Sequence, residues 1–363
     1  MDAEFLAHAE RLFTNAALDP SQWVVAMDEI VQHTGSVGAS LLTVAGRGPF
    51  ILATENLAEL AHEYVAQEWF KRDFRYAAVP KLKTHGIFTD QDIIADWRLP
   101  KIPYYADFLE KHGTGWGLGL RIDTGCDMWC LMLQRGTRQG AYQAPEQAAV
   151  LPLAEIASRA ATLARQLNFH RLEDGLAITE QLGDAAFYID RFGRVAMMNA
   201  RADAMVASGR VILRDKRITF PDMSNERLMR HVDAAIWPDL RADDEALRPV
   251  AIRQPGRHPL VFRAIRIRGD AVPFFAPAYA LLVATDLGET RVATLHSLRT
   301  LLGLTMAEAM LAQALMRTVN LVRAAEDLGI SHETARSQLK GIFAKTETDS
   351  QLALMRLLHA LPR

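Results

Sequence analysis

The stretch LTMAEAMLAQALMRTVNLVRAAEDLGISHETARSQLKGIFAKTETDSQLALMRLL, residues 304–358, decides how this chain is read. Thr305 and Glu308 have the spacing of a capping box, in which the hydroxyl takes the amide three residues on and the carboxylate reaches back to the cap amide. They predict a helix from residue 306 with Met310, Leu311, Ala314 and Leu315 on one face. Asn320 can cap a second helix, Leu321–Leu328, with Val322, Ala325 and Leu328 inward. Gly329 suits the left-handed turn that ends such a helix. Ile330 plugs the turn, and Ser331 caps a third helix. Two helices joined by a turn this short form a helix-turn-helix.

The third helix divides into two faces at 3.6-residue spacing. Ala335, Leu339, Ile342 and Phe343 form an apolar stripe that must face a core, which leaves Glu333, Arg336, Ser337 and Lys340 free. Arg336 and Lys340 stand one turn apart in the half of the helix that can reach base edges. Arginine takes guanine O6 and N7 bidentately, and serine contacts several base edges. Lys345 lies further along, where it could meet a phosphate. An Arg and a Lys alone would mark no more than a solvated face. The order of caps, turn and stripe points to double-stranded DNA. Residues 291–363 hold nine basic and six acidic groups, a mild positive surplus that suits a polyanion.

A last helix is expected over about 349–361. Leu352, Leu354, Met355, Leu357, Leu358 and Leu361 spread round most of it, so it should be buried on more than one face. One face packs on its own domain, and Leu354, Leu358 and Leu361 are the expected dimer contacts, making a homodimer the expected assembly.

This stretch resembles the DNA-binding domain of LuxR-type transcription regulators through Leu304-Thr305, Glu308, Ala325, Leu328-Gly329-Ile330-Ser331, Thr334, Arg336, Leu339-Lys340, Ile342-Phe343, Lys345 and Gln351. The resemblance implies a four-helix domain whose third helix enters the major groove and whose last helix dimerises. It puts Ser331, Thr334, Arg336, Ser337, Lys340 and Lys345 in the DNA-contacting set. Thr318 stands where the family usually has Gly, and Ala335 where it usually has Val; neither change removes a group facing DNA.

Outward from this domain, residues 175–290 carry AFYIDRFGRVAMMNARA, which reads as strand, turn, strand and an Asn199-capped helix. PLVFRAIRIRG and AYALLVATDLG add two more strands, while the piece with Pro221, Pro238, Pro249 and Pro255 resists assignment. The opening resembles a PAS-like domain. Residues 146–174 read as a connecting helix. Its Leu153, Ile156, Ala160, Leu163 and Leu167 are spaced three and four apart, as in a seam between paired helices; the same face could equally pack on the first domain.

Residues 1–145 mix helices (Leu6 to Phe13, Trp23 to Val31) with strands: SLLTVAG and FILAT, broken at Gly46-Arg47-Gly48, and a hairpin of GLGLRID and MWCLMLQRG across Thr124-Gly125. EYVAQEWFKRDFR and YYADFLEKHGTGWGLGLRI resemble GAF-like sensor folds, the broad type that includes the acyl-homoserine-lactone domains of LuxR regulators. Where lactone-binding families usually show Asp-Pro, this chain has Asp73-Phe74. Four of the six tryptophans fall between Trp69 and Trp129. A pocket for an apolar small molecule is therefore expected among Trp69, Asp73, Tyr104, Tyr105, Trp116 and Trp129, since ligand sites combine apolar walls with a few polar anchors. A scaffold that binds nothing is the competing expectation. The fold class expected is α+β: GAF-like and PAS-like α/β domains followed by an all-α DNA-binding domain.

Composition bounds what remains. The chain has 363 residues, 50% of them hydrophobic, and a net charge of −2, which suits two or three cored domains rather than a disordered chain. Cys126 and Cys130, with no nearby Cys/His pair, do not form a zinc site. No cysteine or histidine sits in a flavin- or haem-attachment context, so no cofactor is expected. Paired-carboxylate, nucleophile–base and phosphate-loop signatures are missing, which argues against an enzyme. The N-terminus has no continuous apolar core of a signal peptide, and no stretch reaches the ~18 apolar residues of a membrane span. A cytoplasmic protein without membrane partners is the expectation.

Overall fold

In the computed structural model each of the first two domains is built on a five-stranded antiparallel sheet, and a helical domain follows them. The described residues are 1–363 apart from 45–49, 96–97, 99–100, 222, 238–245, 247, 268–273, 290–291 and 362–363. The expected break at Gly46-Arg47-Gly48, and Pro238, lie outside them.

The first domain opens with α1 (Ala3–Leu18), capped by Asp2, and α2 (Gln22–Thr34). Its sheet runs in the order β2 (Ile51–Ala53), β1 (Gly38–Thr43), β5 (Met128–Arg135), β4 (Trp116–Asp123), β3 (Ile87–Thr89). Side chains alternate across a strand, so β4 sends Leu118, Leu120 and Ile122 into the core under α1 and α2. Gly117 and Gly119 come up on the other face, where β-carbons would meet the Arg75 guanidinium at 2.5 Å and the Phe88 ring at 2.2 Å. That second face is covered by α3 (Ala58–Ala66), α4 (Val79–His85) and irregular helical turns, among them a π-type turn at Tyr104–Leu109.

After the short α5 (Ala144–Val150) comes α6 (Pro152–Leu182), longer than the expected connecting helix. Leu153, Ile156 and Ala160 belong to the first domain's core. For that half of the helix the stripe packs on the first domain, the second of the two expectations, while Leu163 further along stays exposed. The helix also runs through the expected boundary at residues 174/175. Gly175 lies where a β-carbon would meet the Tyr188 hydroxyl at 2.4 Å, so its bare backbone lets the second domain pack on the same helix.

The second domain is a sheet in the order β10 (Val250–Gln254), β11 (Arg257–Arg266), β12 (Ala280–Asp286), β6 (Ala185–Ile189), β7 (Val195–Met198). A two-stranded ribbon, β8 (Ile212–Arg214) and β9 (Arg217–Thr219), accompanies α7 (Ala200–Ala207) and α8 (Ser224–Ile236). Asn199 caps α7 as its position predicts, accepting from the Ala202 amide at 3.0 Å.

His231 of α8 is 1% exposed. Its Nε2 accepts from the Ala264 amide at 2.7 Å, so its Nδ1 carries the proton that is donated to the Ala246 carbonyl at 2.6 Å. Burial holds its pKa below the ordinary histidine value, with the Ala246 bond opposing. The unfolded chain therefore binds more protons than the native one just below pH ~6.5, and stability falls as the pH drops through that range. Unfolding of this domain in urea should need less denaturant at pH 5.5 than at pH 7.5, and His231→Gln should flatten that difference. An unchanged pH response in the variant would remove His231 as its source.

Among the described residues the C-terminal domain has five helices: α9 (Leu295–Leu302), α10 (Met306–Thr318), α11 (Leu321–Asp327), α12 (His332–Thr346) and α13 (Gln351–Ala360). The first of them, capped by Thr294, adds to the four expected. Two inward assignments are corrected. Met310 and Val322 are exposed, and Ala309, Ala312 and Ala324 are buried in their stead. The small residues let three helices cross closely, which turns the bulkier side chains outward.

Candidate functional sites: a helix face and a cavity

The local chemistry of the last domain forms as its residue types require. Thr305 Oγ1 accepts from the Glu308 amide, and Glu308 returns a carboxylate oxygen to the Thr305 amide at 2.7 Å. Asn320 Oδ1 accepts from the Val322 and Arg323 amides. Gly329 takes φ +64°, a left-handed conformation that suits glycine, and Ser331 Oγ accepts from the Thr334 amide at 3.1 Å. These fixed ends aim α12. Ala335, Leu339 and Ile342 are buried against α10 and α11, with Phe343 half-buried beside them. Ser331, Thr334, Arg336, Ser337 and Lys340 all stand exposed, a free polar face on a helix whose other side is sealed.

Lys345 departs from its expected phosphate role. Its Nζ lies 2.6 Å from Glu308 Oε2, so a carboxylate already occupies it. Gly341 makes the contact fit, since a β-carbon there would sit 2.7 Å from Glu308 Oε1. The expected dimer residues are corrected as well. Leu354 and Leu358 are 0% and 1% exposed inside the domain's own core, and Leu361 packs on that core. The outward apolar residue of α13 is Leu352, 64% exposed.

The cavity lies in the first domain, between the sheet and the α3–α4 side. It holds about 510 Å3 of unfilled space including its open mouth. Apolar groups such as Leu42, Ile51, Leu82 and Met132 make most of the wall, and Asp73, Tyr64, Tyr76 and Tyr104 bring polar atoms to it. Asp73 Oδ2 accepts from the Tyr64 hydroxyl, and Oδ1 from the Arg75 amide, each at 2.8 Å. Burial pushes the Asp73 carboxyl above the usual carboxylate range, against the pull of the Arg75 charge and these hydrogen bonds.

Of the six residues expected in this pocket, Asp73 and Tyr104 line it. Trp69 packs behind it, stacked on Phe108 at 5.0 Å with the Arg72 guanidinium 4.0 Å from its ring. Tyr105 donates its hydroxyl to Asp90, and Trp116 donates Nε1 to the Thr137 carbonyl. Trp129 is corrected outright. The two-residue period of β5 sends Cys130, Met132 and Gln134 to the cavity and Trp129, Leu131 and Leu133 to the opposite core.

Sequence reasoning missed the polar layer of the wall. Arg75 and Asp90, 5% and 0% exposed, pair through Nε–Oδ1 at 2.7 Å and Nη2–Oδ2 at 2.8 Å. Asp90 also accepts from the Tyr105 hydroxyl at 2.7 Å and the Gly117 amide at 2.5 Å, and Arg75 Nη1 donates to Gln134 Oε1 at 3.1 Å. The alternate glycines of WGLGL were the available signal, because a strand with no side chains on one face leaves room for something large.

No helix among the described residues is long and apolar enough to cross a membrane. No protein-family model matches the chain, and no curated protein matches it significantly. Solved structures similar to it include the VqsR LBD domain from Pseudomonas aeruginosa, with a TM-score of 0.34 and 16% identity over 43% of this chain and 97% of that one. SdiA in complex with octanoyl-rac-glycerol gives a TM-score of 0.34 and 10% identity, over 98% of this chain and 94% of that one. The E. coli DhaR(N)-DhaL complex gives a TM-score of 0.26 and 12% identity, over 79% and 91%. Likenesses this loose say nothing of what this chain binds.

Proposed function

We propose that the chain is a sequence-specific DNA-binding transcription regulator of the LuxR type that acts as a homodimer, with the cavity of the first domain receiving a small, mostly apolar effector. The observation that carries the reading is α12: capped by Ser331 directly after a tight left-handed turn, sealed on one side, and offering Arg336, Ser337 and Lys340 on the other. A helix so held projects its first turns as a rigid reading head, and Arg with Ser are side chains that read base edges. Selection of bound DNA from a random pool should return one recurring sequence with inverted symmetry. A pool that stays random would end the reading.

Dimer formation through the last helix predicts a contrast between neighbours. Leu352→Glu puts a charge on the outward face. It should weaken DNA binding about tenfold and make it more dependent on protein concentration, as loss of a partner's apolar burial would. Leu354→Glu instead buries a charge in the domain's own core and should unfold it. Gel shifts over a protein titration, with circular dichroism, separate the two; equal binding by Leu352→Glu and wild type would exclude α13 as the dimer contact.

The alternative is a regulator that needs no ligand, its front domains serving only as a scaffold. One observation favours it: both Asp73 oxygens are already satisfied within the chain. Melting the full chain against apolar metabolites and host extract fractions decides. An effector at a hundred times its dissociation constant adds about 2.7 kcal/mol of stability, and Asp73→Asn, which keeps the volume, should lower its affinity. No shift from any fraction favours the scaffold.

A further inference from the structure

We infer that the first and second domains work as one conformational unit, locked by an exchange of aromatic side chains in which Trp129 stands on, and Phe50 directly precedes, a strand that walls the cavity, so that a change at the cavity reaches the second domain. The exchange runs both ways. Phe275, from the segment between β11 and β12, is 2% exposed and belongs to the first domain's core. Its ring lies 4.8 Å from Trp23 of α2 and 5.1 Å from Trp129 of β5. In return Phe50, just before β2, places its ring 4.4 Å from Trp237 and 4.5 Å from Tyr279 of the second domain.

An ion pair closes the junction. Arg191, in the turn after β6 and 2% exposed, donates Nε to Asp127 Oδ2 at 2.6 Å and Nη2 to Asp127 Oδ1. Its guanidinium also lies 5.2 Å from the Trp129 ring. Asp127 sits at the tip of the β4–β5 hairpin, directly before the strand that supplies the aromatic anchor and part of the cavity wall.

Strand geometry makes the coupling obligatory. Trp129 faces Phe275 while its neighbour Cys130 and then Met132 face the cavity. Phe50 enters the second domain while the next residue, Ile51, lines the cavity. Successive side chains on a strand point to opposite faces of one stiff backbone. A ligand or substitution that moves β5 or β2 at the cavity therefore moves a junction aromatic as well. Packed cores respond to such shifts by changing state rather than by gradual deformation. The coupling requires neither DNA nor a bound effector, so its failure would leave the regulator reading untouched.

Hydrogen–deuterium exchange of the full chain tests it. In Phe275→Ala, peptides on both sides of the junction should exchange about tenfold or more faster: α2 and β5 in the first domain, α8 and β12 in the second. Peptides of α10–α13 should keep wild-type rates. Should Phe275→Ala fail to fold, Phe50→Ala, at a half-buried position, must give the same two-sided acceleration. Met132→Ala, which touches only the cavity face of β5, must also speed exchange in α8 and β12. Acceleration confined to the first domain in Met132→Ala, or to one domain in both phenylalanine variants, overturns the proposal.

Discussion

Arg336→Ala should lower affinity for the selected DNA site by about 1–3 kcal/mol, roughly fivefold to 150-fold, and relax the preference at one base position. Arg336 lies on the exposed face of α12 and makes no part of the core that holds the helix. Alanine is a good helix former, so the α12 signal in circular dichroism should persist. Lys340→Ala, one turn on, distinguishes two kinds of contact. A base contact would change the selected sequence. A phosphate contact would leave the sequence unchanged and make the slope of log affinity against log salt shallower by about one unit. Glu333→Ala is the useful control, since removing an acidic group from the same face should if anything strengthen binding to a polyanion. Normal binding by both Arg336→Ala and Lys340→Ala would mean that α12 is not the reading helix.

Arg75→Met should cost the first domain about 3–5 kcal/mol. The substitution keeps much of the apolar stem and removes the charge that faces Asp90. That carboxylate is fully buried, and its remaining donors, the Tyr105 hydroxyl and the Gly117 amide, carry no charge. A buried ion pair is not in itself a strong source of stability, because desolvation offsets most of the attraction. Removing one partner exposes that offset in full. Combining Arg75→Met with Asp90→Asn should therefore cost less than the two single changes added together. Urea unfolding of the four proteins measures the cycle. A loss below about 1 kcal/mol in Arg75→Met would mean that water reaches Asp90 and the pair is not the buried strut described above.

The same contrast between local and distant partners explains how much was legible beforehand. Thr305, Asn320, Ser331 and Asn199 each cap a helix through an amide two or three residues away. Such a bond is written into a short run of sequence, and so were the succession of α11, a tight turn and α12 and the opening of the second domain. The β4–β5 hairpin was legible for the same reason, its two strands meeting across a turn that contains Gly125.

Faces were harder than elements. The apolar residues of α13 announce a helix buried on more than one side, but their spacing does not say that Leu354 and Leu358 turn inward and Leu352 outward. Only the positions of α10 and its neighbours decide that. In β5 the alternation of Trp129 and Cys130 was readable, yet which of them meets the cavity depends on which layer lies on which side of the sheet. Aromatic enrichment between Trp69 and Trp129 pointed to the domain that holds the cavity, but of the five expected rings only Tyr104 lines it and Trp129 turns to the opposite core, because large rings fill cores as readily as they line pockets.

What the sequence determined by itself is therefore the set of capped helices and paired strands, and with them the free polar face of α12, since each rests on contacts within a few residues. Tertiary structure alone decided the rest. Arg75 meets Asp90 across 15 residues and Gln134 across 59, and Asp127 meets Arg191 across 64. Phe50 and Phe275 each anchor in the other's domain. Residue types reveal that such groups need partners, because a buried charge or an exposed ring is costly. Which partner each one finds depends on how layers stack, and chain spacing at those distances carries no trace of it.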